Sequence, residues 1–191
     1  ALYMSGGITE IGSLRKVQLK RDGKLVHSFD LYDLLLRGDR SKDVRLTSGD
    51  VIFVPTLEAS ATIEGEVVRP AIYELMPGES LAQLVSMAGG LTSRAFVGDT
   101  NVVRQDRELG QPIIISVNPV GKEASTFDIR DGDGIVIGAI SEQVTNVITI
   151  EGAVIRPGVY AWREGARLSD YLNSIEKDFK LEADLSVGVL V

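Results

Sequence analysis

Two blocks of this sequence occur twice, and their interleaving constrains the fold more than any composition can. Thr62-Ile63-Glu64-Gly65-Glu66-Val67-Val68-Arg69-Pro70-Ala71-Ile72-Tyr73 returns as Thr149-Ile150-Glu151-Gly152-Ala153-Val154-Ile155-Arg156-Pro157-Gly158-Val159-Tyr160, an offset of 87 residues, and Gly78 and Leu81 then match Gly165 and Leu168. A second block repeats at an offset of 83: Met4-Ser5-Gly6-Gly7-Ile8-Thr9 answers Met87-Ala88-Gly89-Gly90-Leu91-Thr92, and Gly49-Asp50 before Val51 to Val54 answers Gly132-Asp133 before Gly134 to Ile137. These blocks are the front and back of one repeating unit. Only residues 60–140 hold both, so 1–57 is a back half without a front and 147–191 a front half without a back. The joins, Glu58 to Ser60 and Ser141 to Asn146, are too short to let the repeats swing independently over long distances.

Within the complete repeat, Ala61 to Val68 is rich in β-branched residues, and Arg69-Pro70 marks a turn into a second extended run through Leu75, which predicts a β-hairpin. Pro70 presets φ for the first central turn position; Gly158 in the other copy supplies a permissive second one, and Ala71 points to a type I turn. Leu81, Leu84, Val85 and Ala88 fall on one helical face, Ser80 and Gln83 are spaced as a capping box, and Gly89 or Gly90 can close the last turn. Strands are predicted at Asn101 to Arg104, Ile113 to Val117, Phe127 to Ile129 and Ile135 to Ile137. The first copy predicts a strand at Leu14 to Leu19, a helix at Leu31 to Leu36 and, at Val51 to Val54, a strand covered on both faces. Hairpin, helix and further strands in this order make a β-grasp: α+β, a mixed sheet around one helix.

The chain has 191 residues, enough for one or two ordinary cores. Hydrophobic residues at 44% and charged residues at 25% argue against a disordered or fibrous chain. A net charge of -7 repels phosphates, so nucleic acid is excluded as an expected partner. There is no cysteine and a single histidine, His27, which removes thiolate zinc sites, thiol nucleophiles and paired-histidine motifs. Stretches without charge, such as Ser80 to Ser93, are too short and too polar for a membrane span. The chain starts at Ala1 without a signal-like segment, and a processed product or an excised fragment is the expectation.

Gly65-x-Val67-x-Arg69-Pro70-x-x-Tyr73, then Leu81-x-x-Leu84-x-x-x-Ala88-Gly89-Gly90-Leu91-Thr92, then Gly132-Asp133-x-Ile135-x-Ile137 resembles the SLBB (soluble-ligand-binding β-grasp) repeat of Wza-like outer-membrane polysaccharide export proteins. The first copy lacks the hairpin; the third lacks the Gly-Asp strand and has Glu176-Lys177 in place of Gly-Gly. The resemblance implies tandem SLBB units, one complete and two partial. It also implies a periplasmic part of a capsule or exopolysaccharide channel, built as a homo-oligomeric ring. Polysaccharide in transit and other envelope export components are the implied partners. That family's export domain lies outside the repeats, so a fragment of a larger protein is implied. The alternative is a soluble small-ligand or carbohydrate-binding β-grasp module, as in cobalamin carriers with similar domains.

Candidate ligand or interface residues follow from the repeat. Arg69 and Arg156 stand beside the hairpin turn, where a guanidinium can bind sugar hydroxyls, an acidic polysaccharide or a neighbouring subunit, or simply brace the turn. Tyr73 and Tyr160 can offer rings to sugars or serve as core residues, and Trp162 is an exposed-contact candidate because its repeat partner is Leu75. Asp128, Asp131 and Asp133 invite a calcium reading, but the calcium-loop spacing is absent and a solvated turn is expected instead. No metal, cofactor or catalytic residue is expected: His27 has no nucleophile motif, and carboxylates such as Asp30 and Asp33 define no cleft. The unmatched halves predict that the front half of one chain completes the back half of another, as in a domain swap, with a further strand starting at Leu185 to Val191.

Overall fold

The computed structural model describes residues 6–98, 100–141 and 144–184. The strand expected at Leu185 to Val191, and Met4 and Ser5 of the first Gly-Gly block, lie outside the described residues. The chain divides into two compact bodies, residues 1–140 and 141–191.

The first body begins with β1 (Val17–Arg21), β2 (Lys24–Phe29), α1 (Leu31–Arg37) and β3 (Val51–Phe53), with sheet order β2-β1-β3. Asp22 and Gly23, at φ +50° and +75°, make the tight turn between β1 and β2 that an Asp-Gly pair favours. Asp30 caps α1 by accepting from the Tyr32 backbone N–H, and Gly38 at φ +70° closes the helix. The expected strand at Leu14 to Leu19 thus starts later, because residues 13–15 turn instead to contact the complete repeat. The expectation for Val51 to Val54 is also corrected: β3 is short, with Val51 and Phe53 exposed, because no second layer covers that face among the described residues.

The complete repeat follows: β4 (Ser60–Gly65), β5 (Ala71–Glu74), α2 (Leu81–Met87), β6 (Thr100–Asp106), β7 (Gln111–Val117), α3 (Gly121–Thr126) and β8 (Gly134–Ile137). Its sheet runs β5-β4-β8-β6-β7, with β4 and β8 parallel and the other neighbours antiparallel. This is the α+β, β-grasp arrangement. Ile63, Val102, Ile135 and Ile137 from the sheet and Leu81, Leu84 and Ala88 from α2 form the dry core, each at 1% exposure or less. The Ser80–Gln83 capping box is present, and Gly89 and Gly90 at φ +85° and +90° follow the helix as caps.

Two sequence expectations fail here. The β4–β5 connection is not a tight turn at Pro70; residues 66–70 form a loop in which Val67 bridges to Leu91, and Ala71 already belongs to β5. Phe127 to Ile129 is a single bridge, Ser80 to Asp128, preceded by α3, a helix with no side-chain cap and little apolar periodicity to announce it.

The second body holds a hairpin, β9 (Val147–Ile150) and β10 (Gly158–Ala161), then a 3-10 turn at Leu168–Asp170 and α4 (Ile175–Asp178). The registers of the two hairpins superpose: Ile63 opposite Ala71 becomes Ile150 opposite Gly158, and Ala61 opposite Tyr73 becomes Ile148 opposite Tyr160. The helix equivalent to α2 is broken. Leu168 and Ile175 are exposed, so the burial that holds a short helix together is missing.

Candidate functional site

The most elaborate polar structure lies where the first back half meets the complete repeat. Glu74, at the end of β5, is 6% exposed. Its carboxylate accepts from the Ser13 hydroxyl at 2.5 Å and from the backbone N–H groups of Leu14 and Arg15 at 2.8 and 3.2 Å. The Glu74 N–H donates to the Tyr32 hydroxyl at 2.9 Å. Arg15 donates to both oxygens of Glu79 at 2.6 and 2.7 Å, to Asp30 at 3.0 Å and to the Glu74 carbonyl at 3.0 Å, and it stands over the Tyr32 ring. Burial works against this charged guanidinium, yet its hydrogen bonds to Glu79 and Asp30 hold it above its ordinary value. Burial also pushes the Tyr32 phenol up, against the Glu74 backbone hydrogen bond. Removing one partner from such a network strands a desolvated charge, so the joint resists being opened.

Of these joint residues the sequence drew attention only to Asp30, as a carboxylate that defines no cleft, and to none as a link between repeats. The signal was present as a departure of the repeat from itself. In the third copy Ala161 and Ala166 occupy the places of Glu74 and Glu79, and in the middle copy Phe96-Val97-Gly98 replaces Ser13-Leu14-Arg15.

The expected arginines and tyrosines form the hairpin corner. The Tyr73 hydroxyl donates to the Arg69 carbonyl at 2.8 Å, and Tyr160 to the Arg156 carbonyl at 2.6 Å. Tyr73 is buried and packs edge-on to Tyr32, so its ring does not face solvent. Arg69 donates to the Met87 carbonyl at the end of α2, where a cation also suits the helix dipole. Arg156 instead pairs with Asp178 at 3.3 Å. The Ser174 backbone N–H, with lesser help from Asn173 and Arg156, holds the Asp178 carboxyl below its ordinary value. Trp162 is 45% exposed, and its N–H group on the backbone donates to the Asn146 carbonyl. Of these candidates, Arg69 and Tyr73 belong to the first body and Arg156, Tyr160 and Trp162 to the second.

The aspartate cluster is resolved differently from the solvated turn expected. Asp133 is 1% exposed and forms a two-pronged pair with Arg104, while its carboxylate also accepts from the Arg130 N–H. Asp131 accepts from the Ser60 N–H. No group of three metal-ligating side chains exists among the described residues.

Beside β6 and β7 runs a groove of about 540 Å³, lined by Arg104, Arg107, Glu108, Ile113, Ile115 and Arg130 among others. Arg104 is engaged by Asp133 and the Asp128 carbonyl, whereas Arg107 and Arg130 form no ion pair among the described residues. Its lining combines Arg104, Arg107 and Arg130 with the carboxylates of Asp106, Glu108 and Asp131, a set of donors and acceptors that suits a polar, hydroxyl-rich ligand better than an apolar one. His27 meets Phe29 edge-on, with ring centroids 4.6 Å apart, and its Nε2 finds no hydrogen-bond partner among the described residues.

Residues 60–115 match the model of the SLBB domain, a ligand-binding β-grasp module. The match covers the hairpin, α2, β6 and the first part of β7. No curated protein matches the sequence.

Proposed function

We propose that these repeats are assembly modules of a polysaccharide export protein of the cell envelope. They set the spacing and orientation of subunits along a periplasmic, homo-oligomeric conduit and carry out no chemistry. The joint around Arg15, Glu74 and Glu79 carries this reading. It buries charged groups of two successive repeats against each other, which fixes their mutual orientation, a property a conduit wall needs and a ligand trap does not. The resemblance of the hairpin, helix and Gly-Asp segments to export-protein repeats supplies the polysaccharide, the other envelope export components as partners and the location. The test is deletion of residues 60–140 from the parent protein in a producing cell. Surface polysaccharide is expected to fall severely while the remaining protein still reaches the envelope; normal export would overturn the reading.

The groove beside β6 and β7 favours a second reading, capture of a soluble carbohydrate at Arg107 and Arg130. Titration with oligosaccharides, followed by amide chemical shifts, separates the two. Saturable shifts confined to residues 104–115 and 130–131 favour capture.

A further inference from the structure

The sheet of the complete repeat has two edge strands, β5 and β7, and they are guarded differently. β5 is four residues long, its second half is buried, and residues 13–15 are bound to its Glu74. In the first repeat the corresponding edge strand is β2, which carries Lys24 and a register shift against β1 between Leu19 and Lys20; a charge and an irregularity both keep an edge from pairing. β7 has neither. It pairs with β6 in unbroken register, from Thr100 opposite Val117 to Asp106 opposite Gln111, and no charged residue stands between Glu108 and Lys122. Ile114, at its centre, is 70% exposed.

The registers show which main-chain groups of β7 point outward. The Thr62 and Glu66 N–H groups donate to the carbonyls of Asp133 and Ile137, so Gly134 and Val136 turn their own main-chain groups the other way, to β6. Their partners Val103 and Asn101 face β8, which leaves Thr100, Val102 and Arg104 facing β7, opposite Val117, Ile115 and Ile113. By the same alternation Pro112, Ile114 and Ser116 face outward. Pro112 therefore stands where a proline takes no bond from the sheet, the place prolines occupy on edges. On the face of Ile113 and Ile115 this edge borders the groove of Arg104, Arg107 and Arg130. Asp106 and Asp131 there accept from the backbone N–H groups of Glu108, Leu109 and Ser60, and Asp133 holds Arg104. The guanidiniums of Arg107 and Arg130 and the carboxylate of Glu108 are left without a partner among the described residues.

We propose that β7 takes up an extended segment of a partner protein as one more strand of the sheet, antiparallel to β7, with β-branched side chains beside Ile114 and acidic side chains over the groove toward Arg107 and Arg130. The segment's residue opposite Ile114 exchanges both main-chain bonds with it. The residues two away on either side bond both groups of Ser116 and the Pro112 carbonyl, and those between send their side chains to the groove. Main-chain bonds supply the affinity, and the two unpaired guanidiniums on one face select acidic residues at alternate positions. A second β7 from another copy of this chain would bring isoleucines to Arg107 and Arg130 instead. A saccharide would not continue the strand ladder. This inference does not depend on the export reading.

The test titrates the whole chain with the synthetic peptide acetyl-Val-Glu-Val-Glu-Val-amide, followed by amide chemical shifts. Saturable shifts at residues 111–117 and at Arg107 and Arg130 are expected, with the peptide carrying Lys in place of Glu about fivefold weaker. Methylating the central Val nitrogen, which donates to the Ile114 carbonyl, is expected to weaken binding about tenfold, the loss of one main-chain hydrogen bond. Methylating a Glu nitrogen, which points away from β7, is expected to change binding by less than about threefold. Ser116→Pro removes an outward N–H that serves no bond within the sheet and is expected to weaken binding about tenfold, with amide shifts elsewhere unchanged. Arg107→Gln with Arg130→Gln, both exposed, is expected to erase the preference for Glu over Lys. No shift along β7 at millimolar peptide, equal binding of the peptide methylated at its centre, shifts from oligosaccharides but none from the peptide, or self-association through β7 that excludes the peptide would overturn the proposal.

Discussion

Arg104 donates through Nε and Nη2 to the two carboxylate oxygens of Asp133 at 2.9 and 2.7 Å, and one repeat earlier Arg21 makes the same two-pronged pair with Asp50 at 2.7 and 2.9 Å. In both copies the aspartate also accepts from the backbone N–H three residues before it, Arg130 or Thr47. The Gly-Asp motif is thus a clamp. The glycine, at φ +81° or +88°, turns the chain, and the aspartate ties that turn to the strand it must lie beside. The copies differ in exposure: the Arg104 side chain is 12% exposed and that of Arg21 41%. Asp133→Ala is expected to cost about 3–5 kcal/mol by stranding a buried guanidinium, and Asp50→Ala clearly less. Urea unfolding of both variants measures the difference; equal losses would count against the clamp's dependence on burial.

Leu81 and Leu168 are repeat partners in opposite surroundings, fully buried under the sheet and 62% exposed. Leu81→Ala is expected to cost about 2–5 kcal/mol, and Leu168→Ala no more than about 0.5 kcal/mol in the isolated molecule. Thermal unfolding checks both. A large loss at Leu168 would mean that the third front half is packed as tightly as the middle one.

Acid should weaken the fold through carboxylates that the native state holds deprotonated. The Arg21 guanidinium, then the Thr47 backbone N–H, holds Asp50 well below the usual carboxylate range. A depressed native value gives stability that is complete above the unfolded value of about 4 and is lost as pH falls through the native one. Stability is expected to be flat from neutrality to about pH 4 and to decline below it. The gap between the parent chain and Asp50→Asn should narrow over the same range. A constant gap from pH 7 to 2 would show that Asp50 does not contribute in this way.

Arg15→Ala is expected to loosen the first half repeat without unfolding the complete one. Hydrogen exchange should rise across 13–53, whose attachment runs through Glu74 and Glu79, and remain slow at Ile63, Val102 and Ile135. Uniform acceleration across 13–137 would instead show one indivisible cooperative body.

The parts of this fold that were legible in the sequence are those set by local chemistry. Ser80 and Gln83 announce the α2 cap, the 3.6-residue spacing of Leu81, Leu84 and Ala88 announces its buried face, and the repeat fixes the hairpins and the Gly-Asp strand. What failed depends on distant partners. Val51 to Val54 reads as a strand buried on both faces because its apolar residues are consecutive, yet Val51 and Phe53 on one face of β3 are exposed, as Val136 is on β8. Leu168, Tyr171 and Leu172 lack the sheet that would hold them as one helix. The Arg15 joint was illegible by motif because its members are separated by about 60 residues and matched by unlike residues in the other copies. Asp133 looked like a solvated turn because nothing local places Arg104 against it.

The central claim, that these repeats work by holding one another in fixed orientation, is tested most directly by breaking the joint in the cell. The measurement is the amount of surface polysaccharide in a producing strain whose parent protein carries Arg15→Ala with Glu79→Ala, at matched protein level. Together the two changes remove the Arg15–Glu79 ion pair without leaving either charge alone. Export reduced severalfold, with the complete repeat still folded, is the expected result. Export equal to that of the unaltered protein, with the joint demonstrably loosened, would contradict it.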